Sequence, residues 1–269
     1  MAIVLGIVQG ITEPLPISSS GHLILVPWIL NWPAHTLTFD VALHGGTALA
    51  IIAYFWKDWC SLAGALLGGL NDRDFSKDQN RRLVLLIFVS SIPAGIAGLL
   101  LENKIEEMLR EPGTVVFLLV LAGVAMMLAD RLSSHRRAIS QVTLWDALAI
   151  GFAQALALAP GVSRSGITIT AALLLQMNRA DAARFSFLLS GPVVTGAFVY
   201  KMLGLIKTGI PASDAAPFIA GIFASTIVGY ASISFLLGYL QKRSLDLFAY
   251  YRFALGAIVL AMFLLRGIA

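Results

Sequence analysis

Charged residues and cysteine are scarce in this chain. Only 13% of its 269 residues are Asp, Glu, Lys or Arg, against roughly 25% in an ordinary soluble domain, while 58% are hydrophobic. A water-soluble globule of this size cannot bury that much apolar surface, and a disordered chain carries more charge, so both classes are excluded. The single cysteine, Cys60, excludes an internal disulfide framework and a cysteine-based zinc site.

Basic residues are also too dispersed to bind nucleic acid, although the net charge is +4. The first residues lack the basic segment of a secretory signal peptide, so we expect them to belong to the mature fold. Together these features predict an all-α polytopic membrane protein, with one integral membrane domain over residues 1–269.

Six apolar stretches are predicted to be transmembrane helices, because about 20 such residues cross a hydrocarbon core of roughly 30 Å. They lie at 37–56, 83–101, 114–129, 185–203, 217–240 and 247–265. Basic side chains gather at 71–82, at 130–137 and at Lys242 and Arg243, which the positive-inside rule places in the cytoplasm. In this arrangement both chain ends face outward.

Two further apolar segments, 1–33 and 144–177, begin and end on the same side of the membrane in this arrangement. Each is interrupted by a polar turn that contains proline, glycine and serine, at 14–22 and at 160–166. Such backbone is tolerated at membrane depth only where protein or a wet cavity surrounds it. We therefore predict two re-entrant helical hairpins that meet each other.

The two hairpins share residue types at a constant spacing of 145 positions. The matched pairs are Gly6 and Gly151, Gln9 and Gln154, Ser18 and Ser163, Ser20 and Ser165, and Gly21 and Gly166. Each half then holds one hairpin and three spans, and an odd number of spans inverts the second half relative to the first. The pattern predicts an inverted repeat with halves at about 1–140 and 141–269.

Glu13 is the only carboxylate of the first hairpin, and Gln9 precedes it by one helical turn. An ionisable residue at membrane depth costs roughly 2.5–3.5 kcal/mol, so a functional reason is expected. The pair suits a divalent cation held through oxygens, and Glu13 alone suits a proton acceptor. The structural alternative is a carboxylate at the membrane surface that caps the next segment.

Ser18, Ser19, Ser20 and His22 follow Glu13 closely. A hydroxyl becomes a nucleophile when a base lies within hydrogen-bond reach, and histidine titrates near neutrality. The structural alternative is a run of serines that caps a helix beginning near Gly21, and both interpretations are compatible.

The second turn contains the strongest signal for an anion site. Ser163, Arg164, Ser165, Gly166 and Thr168 stand where a helix begins, and a helix N-terminus presents free N–H groups to an anion. Arg164 adds a planar fork that matches two phosphate oxygens. The alternative is an arginine that extends to the membrane surface.

Four other ionisable residues are weaker candidates: Asp40, His44, Lys201 and Arg252. Asp40 and His44 are spaced i, i+4, and they face either the cavity or the headgroup region. The tryptophans are predicted to form an interfacial belt.

Segments 9–22 and 160–168 resemble the two signature motifs of the undecaprenyl-diphosphate phosphatase (bacitracin resistance) family, and the likeness covers the whole chain. The resemblance implies a bacterial inner-membrane enzyme that hydrolyses undecaprenyl diphosphate to undecaprenyl phosphate. It implies recycling of the lipid carrier for peptidoglycan synthesis, bacitracin resistance and dependence on Mg²⁺ or Ca²⁺. It also implies a homodimer and an active site open to the outer side.

By position, the resemblance makes Glu13 the essential glutamate, Ser19 the nucleophile with Ser18 as its competitor, and His22 the acid or base. The predicted diphosphate contacts are Ser163, Arg164, Ser165, Gly166 and Thr168. Many members have glutamate at the position of Gln9, which is therefore a neutral metal ligand and not a base. The competing hypothesis is a transporter or flippase for an anionic lipid or solute, which discontinuous helices favour.

Overall fold

The structure is a computed structural model that describes residues 1–33, 37–208 and 212–266. The described residues form helices joined by turns and by one isolated β-bridge between Arg137 and Met177. The helices are α1 Ala2–Thr12, α2 Ser19–Leu30, α3 Leu37–Tyr54, α4 Trp56–Asp72, α5 Gln79–Leu109, α6 Pro112–Leu132, α7 Leu144–Ala155, α8 Arg164–Leu174, α9 Arg179–Thr208, α10 Ala212–Leu240 and α11 Asp246–Arg266.

Among the described residues, five helical stretches are long and apolar enough to cross a membrane, so the chain is a multi-pass membrane protein. They are Gln79–Leu101, Pro112–Leu132, Arg179–Tyr200, Ala215–Leu240 and Asp246–Arg266. A sixth is obtained when α3 and α4, which are bent by 78° at their junction, are taken as one broken span. The sequence predicts a span at 37–56. In the structure the helix bends at Phe55, and helical structure continues to Asp72.

Two pairs of short helices, α1 with α2 and α7 with α8, form helical hairpins within the segments 1–33 and 144–177. In both pairs the second helix begins after a serine with a positive φ, 75° at Ser18 and 76° at Ser163. Such a φ is strained for a residue other than glycine. In return each hydroxyl accepts a hydrogen bond from a backbone N–H, that of Gly21 at 3.3 Å and that of Gly166 at 3.1 Å.

The packing of the two hairpins is also alike. The helix α1 packs against α10, and α7 packs against α5. A glycine permits close approach in each case, since a Cβ on Gly6 would lie 2.6 Å from the carbonyl oxygen of Gly221, and one on Gly151 would lie 2.5 Å from that of Ser90. These two glycines are 145 positions apart in the sequence.

The halves differ in how their long helices meet. The helix α3 packs along α10, where a Cβ on Gly46 would lie 2.5 Å from the carbonyl oxygen of Ile222. The helices α5 and α9 have fewer contacts with each other, and a cavity lies between them.

We expect Gly6→Ala and Gly151→Ala to destabilise the protein, because each added methyl group would collide with a backbone oxygen that cannot move without its helix. The loss is expected to be about 1–3 kcal/mol and is measured as a lower thermal unfolding midpoint in detergent. Gly238→Ala is the matched control, since Gly238 is an exposed helical glycine with nothing within 4 Å of its added Cβ. Equal midpoints for all three variants would contradict close packing at the two glycines.

Candidate functional site

The two hairpin turns contact each other. The hydroxyl of Ser165 lies 3.2 Å from the carbonyl oxygen of Glu13 and 3.1 Å from that of Leu15, so it links the second turn to the first. Beside this link, Nη1 of Arg164 is 3.6 Å from Oε1 of Glu13. The predicted meeting of the hairpins is therefore confirmed at these atoms.

The carboxylate of Glu13 is the centre of the polar cluster, and its side chain is only 8% exposed. The side-chain amide Nε2 of Gln9 donates to Oε2 at 3.2 Å, and the hydroxyl of Ser19 also donates to Oε2. Nε2 of His44 lies 3.4 Å from the same oxygen. Oε1 faces Arg164, so one oxygen meets a nucleophile candidate and the other meets a cation.

The serines of the first turn have different roles in the structure. Ser18 uses its hydroxyl to cap α2 and lies 3.4 Å from the hydroxyl of Ser20. Ser19 directs its hydroxyl to Glu13. Ser18 therefore has the predicted capping role, and Ser19 has a carboxylate within hydrogen-bond reach.

His22 is buried, and each of its ring nitrogens has a hydrogen-bond partner other than Ser19. Nδ1 lies 2.7 Å from the carbonyl oxygen of Ser18, and because a carbonyl only accepts, Nδ1 carries the proton and donates. Nε2 lies 2.7 Å from the hydroxyl of Tyr251, which donates to the neutral ring. No pattern in the sequence points to Tyr251, which stands 229 positions from His22.

Of the predicted diphosphate contacts, Arg164 is the one with an unused donor, since its buried Nη1 has no hydrogen-bond partner among the described residues. The hydroxyl of Ser163 caps α8. Thr168 turns its hydroxyl to the carbonyl oxygen of Arg164 at 2.8 Å and to Ser186 at 2.7 Å. A Cβ on Gly166 would lie 2.5 Å from Nη2 of Arg252, so the absence of a side chain at Gly166 makes room for the guanidinium of Arg252.

Arg252, a weak candidate in the sequence, is fully buried. Its Nε donates to the carbonyl oxygen of Pro16 at 2.8 Å, and its Nη2 donates to that of Val162 at 3.2 Å. Nη1 adds longer contacts to the carbonyl oxygens of Leu119 and Gly161. Within the described part of the chain its hydrogen-bond partners are thus backbone carbonyls from both turns and from α6.

The remaining weak candidates separate. Asp40 forms an ion pair with Arg110 at 2.9 Å, whereas His44 joins the cluster around Glu13. The side chain of Lys201 lies outside the described residues.

A cavity of about 810 Å³ extends from Arg164 between α5 and α9. Most of its lining is apolar and includes Phe88, Leu99 and Val193. Gln154 also lines it, and both polar atoms of this buried amide lack a hydrogen-bond partner among the described residues. The cavity therefore combines an apolar lining with two polar side chains, Arg164 and Gln154, that are available to a ligand.

Gln9 and Glu13, the two residues predicted to hold a divalent cation, are in contact with each other. Oε1 of Gln9 is buried and unpartnered, so the pair offers a carboxylate oxygen and a spare amide oxygen, which suit a hard divalent ion. Among the described residues there is no group of three or more His, Cys, Asp or Glu placed to hold a metal.

Comparison with known proteins identifies a single family and several similar proteins that share one name. The family model described as bacitracin resistance protein BacA matches residues 2–258. A protein of Pelobacter propionicus named undecaprenyl-diphosphatase is 50% identical over 269 residues, which are 100% of this chain and 98% of the relative. Proteins of the same name from Geobacter sulfurreducens and Geotalea daltonii are each 50% identical, over 98% and 96% of both chains respectively.

Arg252→Met is expected to destabilise the protein strongly. It leaves the buried carbonyls of Pro16 and Val162 without a donor, and each such loss costs about 1–3 kcal/mol. The measurement is the thermal unfolding midpoint in detergent, with Arg243→Met as the control because Arg243 is exposed. If both variants have the same thermal unfolding midpoint as the unaltered protein, the hydrogen bonds of Arg252 do not stabilise the two turns.

Proposed function

The chain belongs to the bacitracin resistance protein BacA family, and on that premise we propose that it hydrolyses undecaprenyl diphosphate to undecaprenyl phosphate and phosphate. This reaction recycles the lipid carrier for cell-wall synthesis and confers bacitracin resistance. One observation carries the proposal: the Glu13 carboxylate lies between a serine hydroxyl and an arginine that has an unused donor.

Arg164 and the N-terminus of α8 bind the diphosphate. The guanidinium supplies two parallel donors to phosphate oxygens, and the helix dipole favours negative charge at the same place. A diphosphate replaces a weak partner, since Arg164 stands 3.6 Å from Glu13 without a hydrogen bond from Nη1. Gln154 provides a further amide to the ligand.

Ser19 attacks the terminal phosphorus while Glu13 accepts its proton. The bond from that phosphorus to the bridging oxygen breaks, and undecaprenyl phosphate leaves with the electron pair. Water then attacks the phosphorus of the phosphoserine, inorganic phosphate leaves, and the proton held by Glu13 returns to the serine oxygen, so both residues are regenerated. Ser18 is the poorer nucleophile because its hydroxyl caps α2. His22 is the acid or base of the site, and it exchanges protons through its hydrogen bond with Tyr251.

The proposed cofactor is Mg²⁺ or Ca²⁺, held by Glu13 and Gln9. These residues fit such an ion because one is a carboxylate and the other has a buried amide oxygen without a partner. A bound divalent ion would offset the charge of the diphosphate.

The isoprenoid tail occupies the cavity between α5 and α9. Its volume of about 810 Å³ is in the range of sites for sizeable ligands, and its apolar wall leads to Arg164. One end of the cavity thus suits a phosphate and the rest suits a hydrocarbon chain.

The architecture that accompanies this function is six spans and two re-entrant hairpins in an inverted repeat, with halves at about 1–140 and 141–269. Two similarities between the hairpins support this architecture: the serine caps of α2 and α8, and the close glycine contacts of α1 and α7. The protein is placed in the bacterial inner membrane with the site open to the outer side, since the basic segments 71–82 and 130–137 favour the cytoplasm. A homodimer is part of the same proposal.

Purified protein in detergent should release phosphate from undecaprenyl diphosphate, and Arg164→Ala and Ser19→Ala should each lower kcat by about 100-fold or more. Phosphate release without a membrane to cross also separates a phosphatase from a flippase. The controls are Arg184→Ala, which removes an arginine of an exposed ion pair, and Ser18→Ala, which removes a cap. Near-normal kcat in both Arg164→Ala and Ser19→Ala would refute the site.

Filling the cavity should act on the lipid tail alone. Gly98 lines the cavity and its Cβ position is open, so Gly98→Trp is expected to raise KM for undecaprenyl diphosphate at least about tenfold. KM for a short-chain prenyl diphosphate should hardly change. Gly238→Trp is the matched control, because Gly238 is equally open but lies outside the cavity. An equal effect on long and short substrates would show that the tail binds elsewhere.

A further inference from the structure

The contact between His44 and Glu13 has no role in the proposed reaction. Nε2 of His44 is 3.4 Å from Oε2 of Glu13, and Nδ1 is 2.7 Å from the backbone carbonyl oxygen of Asp40. A carbonyl oxygen only accepts, so Nδ1 carries the proton. In a neutral ring, Nε2 then directs a lone pair at a carboxylate oxygen, and two acceptors face each other.

Gln9 adds a third acceptor to the same place. Its side chain is 0% exposed, and its Oε1 has no hydrogen-bond partner among the residues that the structure describes. Its Nε2 lies 3.2 Å from Oε2 of Glu13, and a half-turn of the amide brings Oε1 to that position. One proton between His44 and Glu13 would satisfy two of the three acceptors and leave the buried amide oxygen without a partner. A cation takes the carboxylate oxygen, the imidazole nitrogen and the turned amide oxygen together as ligands, while Nε2 of Gln9 moves to the place that Oε1 now occupies.

The spacing and the outer contact of His44 both suit a metal ion. The distances from Oε2 of Glu13 are 3.2 Å to the Gln9 amide and 3.4 Å to the His44 ring. Ions bound at about 2.1 Å by nitrogen and oxygen hold neighbouring ligand atoms about 3.0–3.4 Å apart. A metal-bound histidine usually donates its other ring N–H to a carbonyl or carboxylate, as His44 does to Asp40.

We propose that His44 is the nitrogen ligand of the divalent cation held by Glu13 and Gln9. The inference rests on the proposed function, because it concerns the ion of that same site. Gln9 brings no charge to the ion, and the imidazole supplies the donor that a single carboxylate and an amide leave missing. Imidazole binds first-row transition ions better than Mg²⁺ or Ca²⁺, so His44 raises the affinity of this site for an ion such as Mn²⁺ more than its affinity for Mg²⁺ or Ca²⁺.

The test uses Mn²⁺ as the probe on the full chain in detergent. Electron spin echo spectroscopy of the Mn²⁺-loaded protein should show ¹⁴N modulation from a directly bound imidazole. Protein labelled with [¹⁵N]histidine should lose that modulation, which identifies histidine without any substitution. His44→Gln should abolish the modulation and raise the Kd for Mn²⁺ at least about tenfold, with a smaller change for Mg²⁺.

His135→Gln is the matched control, because His135 lies next to Asp130 and away from Glu13. It should retain both the modulation and the affinity. The assignment of His44 is overturned if Mn²⁺ binds the unaltered protein without ¹⁴N modulation, or if His44→Gln binds Mn²⁺ as the unaltered protein does. Phosphate release is measured separately. Its absence in the unaltered protein refutes the phosphatase proposal, whereas normal release without nitrogen modulation refutes only the ligand.

Discussion

The two buried turns contain backbone carbonyls that lie outside any helix, and the structure depends on how Arg252 satisfies them. This one buried side chain donates to Pro16 in the first turn and to Val162 in the second. An isolated buried cation is costly, and the carbonyl dipoles that surround it offset that cost. Because the same guanidinium binds both turns, it fixes the position of the turn that carries Arg164 relative to the turn that follows Glu13.

The departures from symmetry between the hairpins are where the chemistry lies. Gln9 and Gln154 stand at equivalent positions, but the equivalents of Glu13 and Ser19 are Leu158 and Arg164. The first hairpin thus supplies the carboxylate and the hydroxyl, and the second supplies the cation. The long helices differ in the same sense, since α3 closes against α10 while α5 and α9 leave a cavity beside Arg164.

The hairpins and the pairing of Glu13 with Arg164 could be predicted from the sequence, because proline, glycine and serine act locally and charges inside apolar segments are rare. Three features could not. His22 pairs with Tyr251 across 229 positions, and no periodicity connects residues that far apart. Arg252 is bound by carbonyls, which every residue carries and which leave no trace in a sequence. The bend between α3 and α4 occurs at Phe55, where the apolar run offers neither proline nor glycine.

The geometry of Glu13 ties binding to catalysis in the proposed reaction. Without a diphosphate, Arg164 forms an ion pair with Oε1, so the charge of Glu13 is shared between this cation and the hydroxyl of Ser19. The contact is 3.6 Å long and Nη1 has no hydrogen bond, so a phosphate can displace the carboxylate at little cost. Once Arg164 turns to the phosphate, Glu13 keeps its hydrogen bond from Ser19 and becomes the better proton acceptor. The substrate therefore activates the residue that consumes it, and the nucleophile stays weak when the site holds no phosphate.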